Sequence, residues 1–170
     1  MSKAVMLSIR PKWCEKIASG EKTIEVRKTR PKLETPFKCY IYETQGWVEK
    51  DGIMAFRLGG RVIGEFTCER IDRLAPANEP YGIYDIDDDY VLQTCLENGA
   101  LWDYGHGTPL YGWHISNLRI YDAPRELSEF ERPYECNECD AKWATECNAC
   151  HEEGKIKRPP QSWCYVEATE

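Results

Sequence analysis

The chain is divided into short segments of strand-type sequence, each bounded by turn-forming residues. Residues 4–9 form a continuous apolar run, which is typical of a buried strand. Residues 23–27 alternate apolar and polar side chains, as a half-exposed strand does. The other predicted strands lie at residues 38–42, 61–68, 113–116 and 162–167. Such short strands favour a partly closed mixed barrel over a parallel α/β sheet, whose strands alternate with helices.

Two short helices are predicted between these strands. Pro11 suits the first position of a helix, Trp13 lies on its apolar face and Gly20 ends it. A second helix at about residues 89–98 begins with acidic side chains, which the helix dipole favours at that end. The length suits one domain over residues 1–170. We therefore expect an α+β domain: a small mixed β-barrel with two or so short helices.

The strand that begins at Trp113 changes its apolar phase part-way along. Trp113 and Ile115 lie at odd positions. Leu118 and Ile120 lie at even positions. Because side chains alternate along a strand, this change predicts a β-bulge around residues 116–117.

The net charge of −7 is unevenly distributed along the chain. Residues 1–38 contain ten Lys or Arg against four Asp or Glu, whereas the rest contains twelve against twenty-five. Since neutralising phosphates supplies most of the affinity of nucleic-acid binders, the basic end suits one phosphate or a short single strand. The acidic remainder excludes coating of duplex DNA. No segment has the apolar length of a transmembrane helix, so no membrane partner is expected.

The nine cysteines fall into a cluster of four and five scattered residues. The cluster has the pattern CxxC-x7-CxxC, which can supply four thiolates to a structural Zn²⁺ and leaves no open catalytic position. The alternatives are two disulfides or unligated thiols. An odd total with scattered thiols is typical of a reducing compartment, so we expect a cytoplasmic protein. The predicted zinc loop is an insertion at residues 133–158 with the ligands Cys136, Cys139, Cys147 and Cys150.

Residues 20–27, Gly-Glu-Lys-Thr-Ile-Glu-Val-Arg, combine the groups of an anion-binding pocket. Glu25 and Arg27 are two residues apart, so they share one face of the predicted strand. Lys22 lies at the bend before it, and Arg10 lies where a helix start favours an anion. These groups can polarise a carbonyl, grip a phosphate or read a base edge. The alternative is a set of exposed salt bridges of little energetic value.

A third candidate group lies on the strand near residue 113. Its aromatic, imidazole and hydroxyl side chains can stack on a base and contact its edge, and the histidine can act as a general acid or base. The alternative is that the tryptophan belongs to the core. The members of this group are Tyr111, Trp113, His114 and Ser116. Three further aromatic residues can line the same cleft: Trp47, Trp102 and Tyr104.

The segment at residues 20–27 matches GxKxxExR, the signature of the ASCH family in the PUA-like superfamily. The chain resembles that family over residues 4–70, 109–122 and 156–168. The resemblance implies a PUA-like barrel and ligands such as RNA or modified nucleosides. Amidohydrolases of the superfamily have a nucleophilic threonine where this chain has Glu25. Thr23 is a further ligand-binding candidate, although it is not expected to replace that hydroxyl if Glu25 points into the cleft.

These observations predict a module that binds RNA or a nucleotide-like small molecule in a basic and aromatic cleft. The first alternative is a hydrolase of RNA or a modified nucleoside. In it Glu25 is the general base, Lys22 stabilises the developing negative charge and His114 is the acid. The second alternative is a zinc-stabilised protein-interaction module whose cleft has no function.

Overall fold

The computed structural model describes residues 2–78, 82–133 and 154–169, and these ranges contain eight strands and three α-helices that are considered below. The predicted short strands are present, and the segments at 61–68 and 113–116 belong to much longer strands. The strands are β1 (Lys3–Ile9), β2 (Ile24–Arg27), β3 (Phe37–Glu43), β4 (Gly46–Lys50), β5 (Ile53–Arg57), β6 (Arg61–Leu74), β7 (Leu110–Arg125) and β8 (Trp163–Glu167). The helices are α1 (Pro11–Ala18), α2 (Asp88–Thr94) and α3 (Asn98–Gly105).

The main sheet has six strands in the order β2-β7-β6-β3-β1-β8, with β1 and β3 parallel and the other pairs antiparallel. The predicted barrel is wrong, because the described part of β2 and of β8 each pairs on one side only. The Arg27 side chain reaches from the β2 edge to the other end of the sheet, donating to the carbonyl oxygens of Ser8 in β1 and of Ser162 just before β8. Side chains rather than a backbone ladder therefore join the edges, which leaves an α+β fold with an open mixed sheet.

The bulge predicted in the long strand β7 is confirmed. The pairing of β6 with β7 passes from Thr67–Ser116 to Glu65–Arg119, so β7 has one residue more than its partner. Asn117 lies there with φ of 47°, a left-handed conformation that asparagine tolerates better than most residues. The extra residue changes the face on which the following apolar side chains lie, which accounts for the phase change in the sequence.

Within residues 2–78 and 82–133, three short α-helices replace the two that were predicted. α1 agrees with the prediction, and Gly20 follows it with φ of 80°, a conformation that glycine adopts without strain. The helix predicted at 89–98 corresponds to α2, which ends earlier than predicted. Cys95 follows it in a left-handed conformation with φ of 55°, and a separate helix, α3, comes after this turn. With seven or eight residues each, no α-helix of the described ranges is long and apolar enough to cross a membrane.

The largest hydrophobic core lies between α1 and one face of the sheet, and it includes three of the scattered cysteines. Cys14, Cys39 and Cys68 are buried, whereas Cys95 and Cys164 are partly exposed. Burial raises the pKa of the Cys68 thiol to about 12, and it raises the pKa of Cys39 well above the usual value. These thiols remain protonated at neutral pH and act as small apolar side chains.

The β4–β5 hairpin was not predicted. Its turn is Asp51-Gly52, and both residues have positive φ, at 54° and 77°. Asp-Gly is a preferred pair for such a two-residue hairpin turn, so this dipeptide between apolar segments was the available signal.

The predicted zinc ligands lie outside the described residues. Within the ranges that the structure describes, no group of three or more His, Cys, Asp or Glu side chains could hold a metal ion. The zinc-binding insertion is thus unsupported as a part of the fold, and zinc binding by the four cysteines stays a prediction. The ends of the insertion lie next to each other, because Glu131 and Lys155 form an isolated antiparallel bridge.

Candidate functional site

Three charged side chains of the segment at 20–27 meet in a buried cluster. The Glu25 carboxylate lies between two cations, with Oε1 3.0 Å from an Arg27 terminal nitrogen and Oε2 3.5 Å from Lys22 Nζ. The exposed fractions of the Lys22, Glu25 and Arg27 side chains are only 1%, 8% and 9%. The cluster therefore has one net positive charge and is shielded from water, unlike the predicted alternative of exposed salt bridges.

Lys22 also fixes the position of α2. Its ammonium group donates a hydrogen bond of 2.5 Å to the carbonyl oxygen of Thr94, the last residue of that helix. The final carbonyls of a helix lack partners within the helix and carry partial negative charge, so a buried cation suits them. The same Nζ atom lies 5.1 Å from the centre of the Trp13 ring. Lys22 thus connects the strand segment, α1 and α2.

Arg27 connects the other side of the cluster to β1 and to the segment just before β8. One terminal nitrogen donates to the Ser8 carbonyl oxygen at 2.9 Å, and the other reaches the carbonyl and hydroxyl oxygens of Ser162 at 3.4 Å. Its Nε atom is buried and has no hydrogen-bond partner among the described residues. One buried donor of the cluster is therefore unsatisfied by the part of the chain that the structure describes.

The charged cluster forms the floor of a cleft of about 400 Å³ between the edges of the sheet. One wall is the start of α1, and the other is the α2–α3 region. The lining includes three basic residues and one acidic residue, although the whole chain is acidic. The lining residues are Ser8, Ile9, Arg10, Trp13, Lys22, Glu25, Val26, Arg27, Thr44, Leu96, Ala100, Tyr104, Gln161 and Ser162.

The rim of the cleft combines cations with aromatic rings. Lys12 Nζ lies 4.7 Å from the centre of the Trp13 ring, and Lys28 Nζ lies 4.8 Å from that of Tyr104. Arg10 is exposed, and its side chain has no ion pair or hydrogen bond within the described parts of the chain. Burial raises the pKa of the Tyr104 hydroxyl, which therefore remains a hydrogen-bond donor at neutral pH. The rim thus presents a free guanidinium between aromatic surfaces.

A close approach between α2 and β7 positions the second wall. Gly112 faces Tyr90, and a Cβ atom added to Gly112 would lie 1.8 Å from the Tyr90 hydroxyl oxygen. Only a residue without a side chain allows this packing. Thr23, which precedes β2, binds the same wall through its backbone, donating to the carbonyl oxygen of Gln93 at 2.9 Å.

The structure brings four of the nine predicted cleft residues together and separates the others. Arg10, Lys22, Glu25 and Arg27 line one cleft, as the spacing of the motif predicted. The remaining five are absent from its lining: Thr23, Tyr111, Trp113, His114 and Ser116.

Strand pairing explains this separation. His114 pairs with Ile24, so it lies on the face of the sheet opposite to Glu25. There its Nε2 is 2.5 Å from the Asp72 carboxylate. Trp113 pairs with Glu25 but is fully buried, and its ring packs edge-on against Phe37 at 5.8 Å. Trp113 therefore belongs to the core, the alternative that its sequence left open.

The other two residues of this group are also engaged elsewhere. The Ser116 hydroxyl lies 2.7 Å from the Glu69 carboxylate and 3.1 Å from the Thr67 carbonyl oxygen, which compete for its single proton. Tyr111 pairs with Arg27 across the strands but packs against the main core.

Two aromatic residues of the cleft were not singled out as site residues. Trp13 was assigned only to the apolar face of α1, yet it lies three residues after Arg10 and therefore on the same side of the helix. Tyr104 was one of three aromatic residues named as able to line the cleft; it does so, whereas Trp47 and Trp102 do not. Its position depends on the packing of α3, which no local pattern reveals.

Comparison with known families identifies the family of the chain. The model of the ASCH domain matches residues 7–153, most of the chain. The chain belongs to the ASCH family. This membership shows a PUA-like α+β fold, in which the sequence of residues 20–27 supplies the floor of the cleft.

Solved structures of another ASCH domain agree with this fold. The crystal structure of ASCH from Zymomonas mobilis is 20% identical, with a TM-score of 0.61 over 96% of this chain and 87% of that one. A tyrosine-to-phenylalanine mutant of the same protein is 19% identical, with a TM-score of 0.58 over 98% and 91% of the two chains. A serine-to-alanine mutant is 19% identical, with a TM-score of 0.58 over 96% and 88%. The comparison with curated proteins gave no match.

Proposed function

We propose that this ASCH domain binds single-stranded RNA, or a nucleotide-like small molecule, in the cleft above Glu25. The observation that carries the proposal is the charge of the lining, in which three basic residues oppose one carboxylate in a chain of net charge −7. A cationic recess in an otherwise acidic protein selects an anion at one place. Membership of the ASCH family favours RNA or a nucleotide as that anion.

The arrangement of groups suits a phosphate at the rim and a base inside. Arg10 has a free guanidinium and lies at the N-terminal end of α1, where backbone N–H groups also attract anions. Trp13 and Tyr104 offer rings on which an unpaired base can stack. A volume of about 400 Å³ is within the usual range for small-ligand sites.

Binding is favoured over hydrolysis by the state of Glu25 and Lys22. Each oxygen of the carboxylate already faces a cation, and the lysine already donates to Thr94. A general base needs a lone pair directed at the substrate, whereas each oxygen of this carboxylate is directed at a cation of the protein. We therefore expect these residues to shape the cleft and set its charge, and we expect no cleavage of short RNA on incubation with the protein.

Fluorescence anisotropy with a labelled 8-nucleotide RNA tests the proposal. Affinity should be modest, stronger for the single strand than for the duplex, and should fall with salt by a shallow slope. Arg10→Ala should weaken binding and lower the magnitude of the salt slope by about 0.7, the value for one lost contact to a single strand. Arg119→Ala is the matched control, because Arg119 is also an exposed arginine but lies outside the cleft.

Two results would refute the proposal. Tighter binding to the duplex would place RNA on another surface. Equal effects of the two arginine substitutions would mean that the RNA responds to overall charge and not to the cleft.

A further inference from the structure

The β4–β5 hairpin exposes apolar side chains that have no role in the cleft. The exposed fractions are 61% for Trp47, 70% for Ile53, 57% for Met54 and 49% for Phe56. Trp47 and Phe56 lie opposite each other on the two strands, with ring centres 5.3 Å apart. Clustered exposed apolar groups on a small domain are typical of an interaction surface.

The outer edge of β5 is also free within the described residues. β5 pairs with β4 in a regular register from Gly46–Arg57 to Lys50–Ile53, and its other edge forms no ladder. All five residues of β5 are exposed. Neither a proline nor a bulge protects this edge, although such devices commonly block edge pairing. An extended segment of another chain can therefore add to β5 as a third strand.

The charge of the adjacent groove indicates the chemistry of that segment. A groove of about 600 Å³ separates the hairpin from α1 and is lined by four acidic and two basic residues, together with Trp47 and Met54. Glu15 and Glu21 are in ion pairs, with Arg57 and Lys16 respectively. Glu49 and Asp51, by contrast, are exposed and have no ion pair with any described residue. The charge of this groove is opposite in sign to that of the cleft on the other side of α1.

We propose that the hairpin is a docking surface for an extended, cationic and apolar segment of a partner protein. The segment would pair with the free edge of β5, place apolar side chains on Trp47 and Phe56, and direct Lys or Arg towards Glu49 and Asp51. The unpaired carboxylates repel phosphates, which argues against a continuation of the RNA site. They also disfavour a second copy of the same groove facing the first. This inference does not depend on the function proposed for the cleft.

The test uses the full chain and a labelled nine-residue peptide, Val-Thr-Lys-Thr-Val-Thr-Lys-Thr-Val, whose valine and lysine side chains share one strand face, as Trp47, Glu49 and Phe56 do. The peptide should bind, and Glu49→Lys combined with Asp51→Asn should weaken binding at least about tenfold, because it removes both unpaired carboxylates. The matched control is Glu34→Lys with Asp122→Asn, which changes the net charge equally at exposed positions outside the groove. A peptide of equal charge with proline in place of valine should bind at least about tenfold more weakly, since proline cannot donate ladder hydrogen bonds.

Several results would overturn the proposal. Absence of peptide binding would do so, as would equal losses in the two pairs of charge variants. Displacement of the peptide by an 8-nucleotide RNA would instead identify a nucleic-acid surface. A concentration-dependent dimer in sedimentation, lost on Phe56→Ser, would identify a second copy as the occupant.

Discussion

The buried position of Glu25 gives a prediction whose size can be worked out from the structure. Glu25→Gln keeps the shape of the side chain but removes the negative charge between Lys22 and Arg27. At 3.5 Å and 3.0 Å the two attractions amount to about 5 kcal/mol each for an effective dielectric constant of about 20. Because burial of the carboxylate itself was costly, we expect the free energy of unfolding to fall by about 3–5 kcal/mol, as when a buried ion pair loses one partner.

Urea denaturation followed by circular dichroism measures this loss. For an m-value of about 2 kcal/mol/M, the unfolding midpoint should move down by about 1.5–2.5 M. Glu21→Gln is the matched control, because Glu21 also pairs with a lysine, at a shorter distance of 2.8 Å, but on the exposed surface. Its midpoint should remain nearly unchanged, since water and salt screen exposed pairs.

Similar, small shifts of the unfolding midpoint in Glu25→Gln and Glu21→Gln would refute the reasoning. Such a result would mean that water reaches the Glu25 cluster, so that the cleft floor is open and its charges are screened. The free carboxylate of a hydrated floor would then be a better general base than the structure indicates.

The remaining predictions concern packing, thiols and the metal. Gly112→Ala should destabilise the fold by about 1–3 kcal/mol in urea titrations, because the added Cβ would collide with Tyr90. Gly99→Ala in α3 is the control: its Cβ meets no atom within 4 Å, so this change should be neutral or slightly stabilising. Stability should fall as the pH rises above about 9. The reason is that the unfolded chain then releases the thiol proton of Cys68, whereas the folded chain, in which this thiol has a pKa of about 12, still holds it. Urea midpoints at about pH 8 and pH 10 check this, and Cys68→Ala should make the fall in stability smaller. Metal analysis of the purified protein should give about one zinc per chain, and cysteines oxidised in pairs without zinc would contradict that expectation.

Local patterns in the sequence predicted much of the fold and the floor of the cleft. The two-residue spacing of Glu25 and Arg27 placed both on one strand face, because side chains alternate along a strand whatever surrounds it. Pro11 and Gly20 marked the ends of α1, and the phase change after Ile115 marked the bulge. These are properties of a few neighbouring residues, so no knowledge of the rest of the chain was needed.

Tertiary structure decided which residues complete the site and how the sheet ends. His114 and Glu25 are both polar strand residues, but the pairing register places them on opposite faces, and a register is set by contacts between distant segments. The aromatic wall at Tyr104 and the capping of Thr94 by Lys22 depend on the packing of α2 and α3 against β2. Among the described residues no backbone ladder joins β2 to β8, and the Arg27 side chain bridges the gap between them instead. Whether the two edge strands pair through their backbones depends on the distance between segments that are remote in sequence, and neither composition nor periodicity encodes that distance.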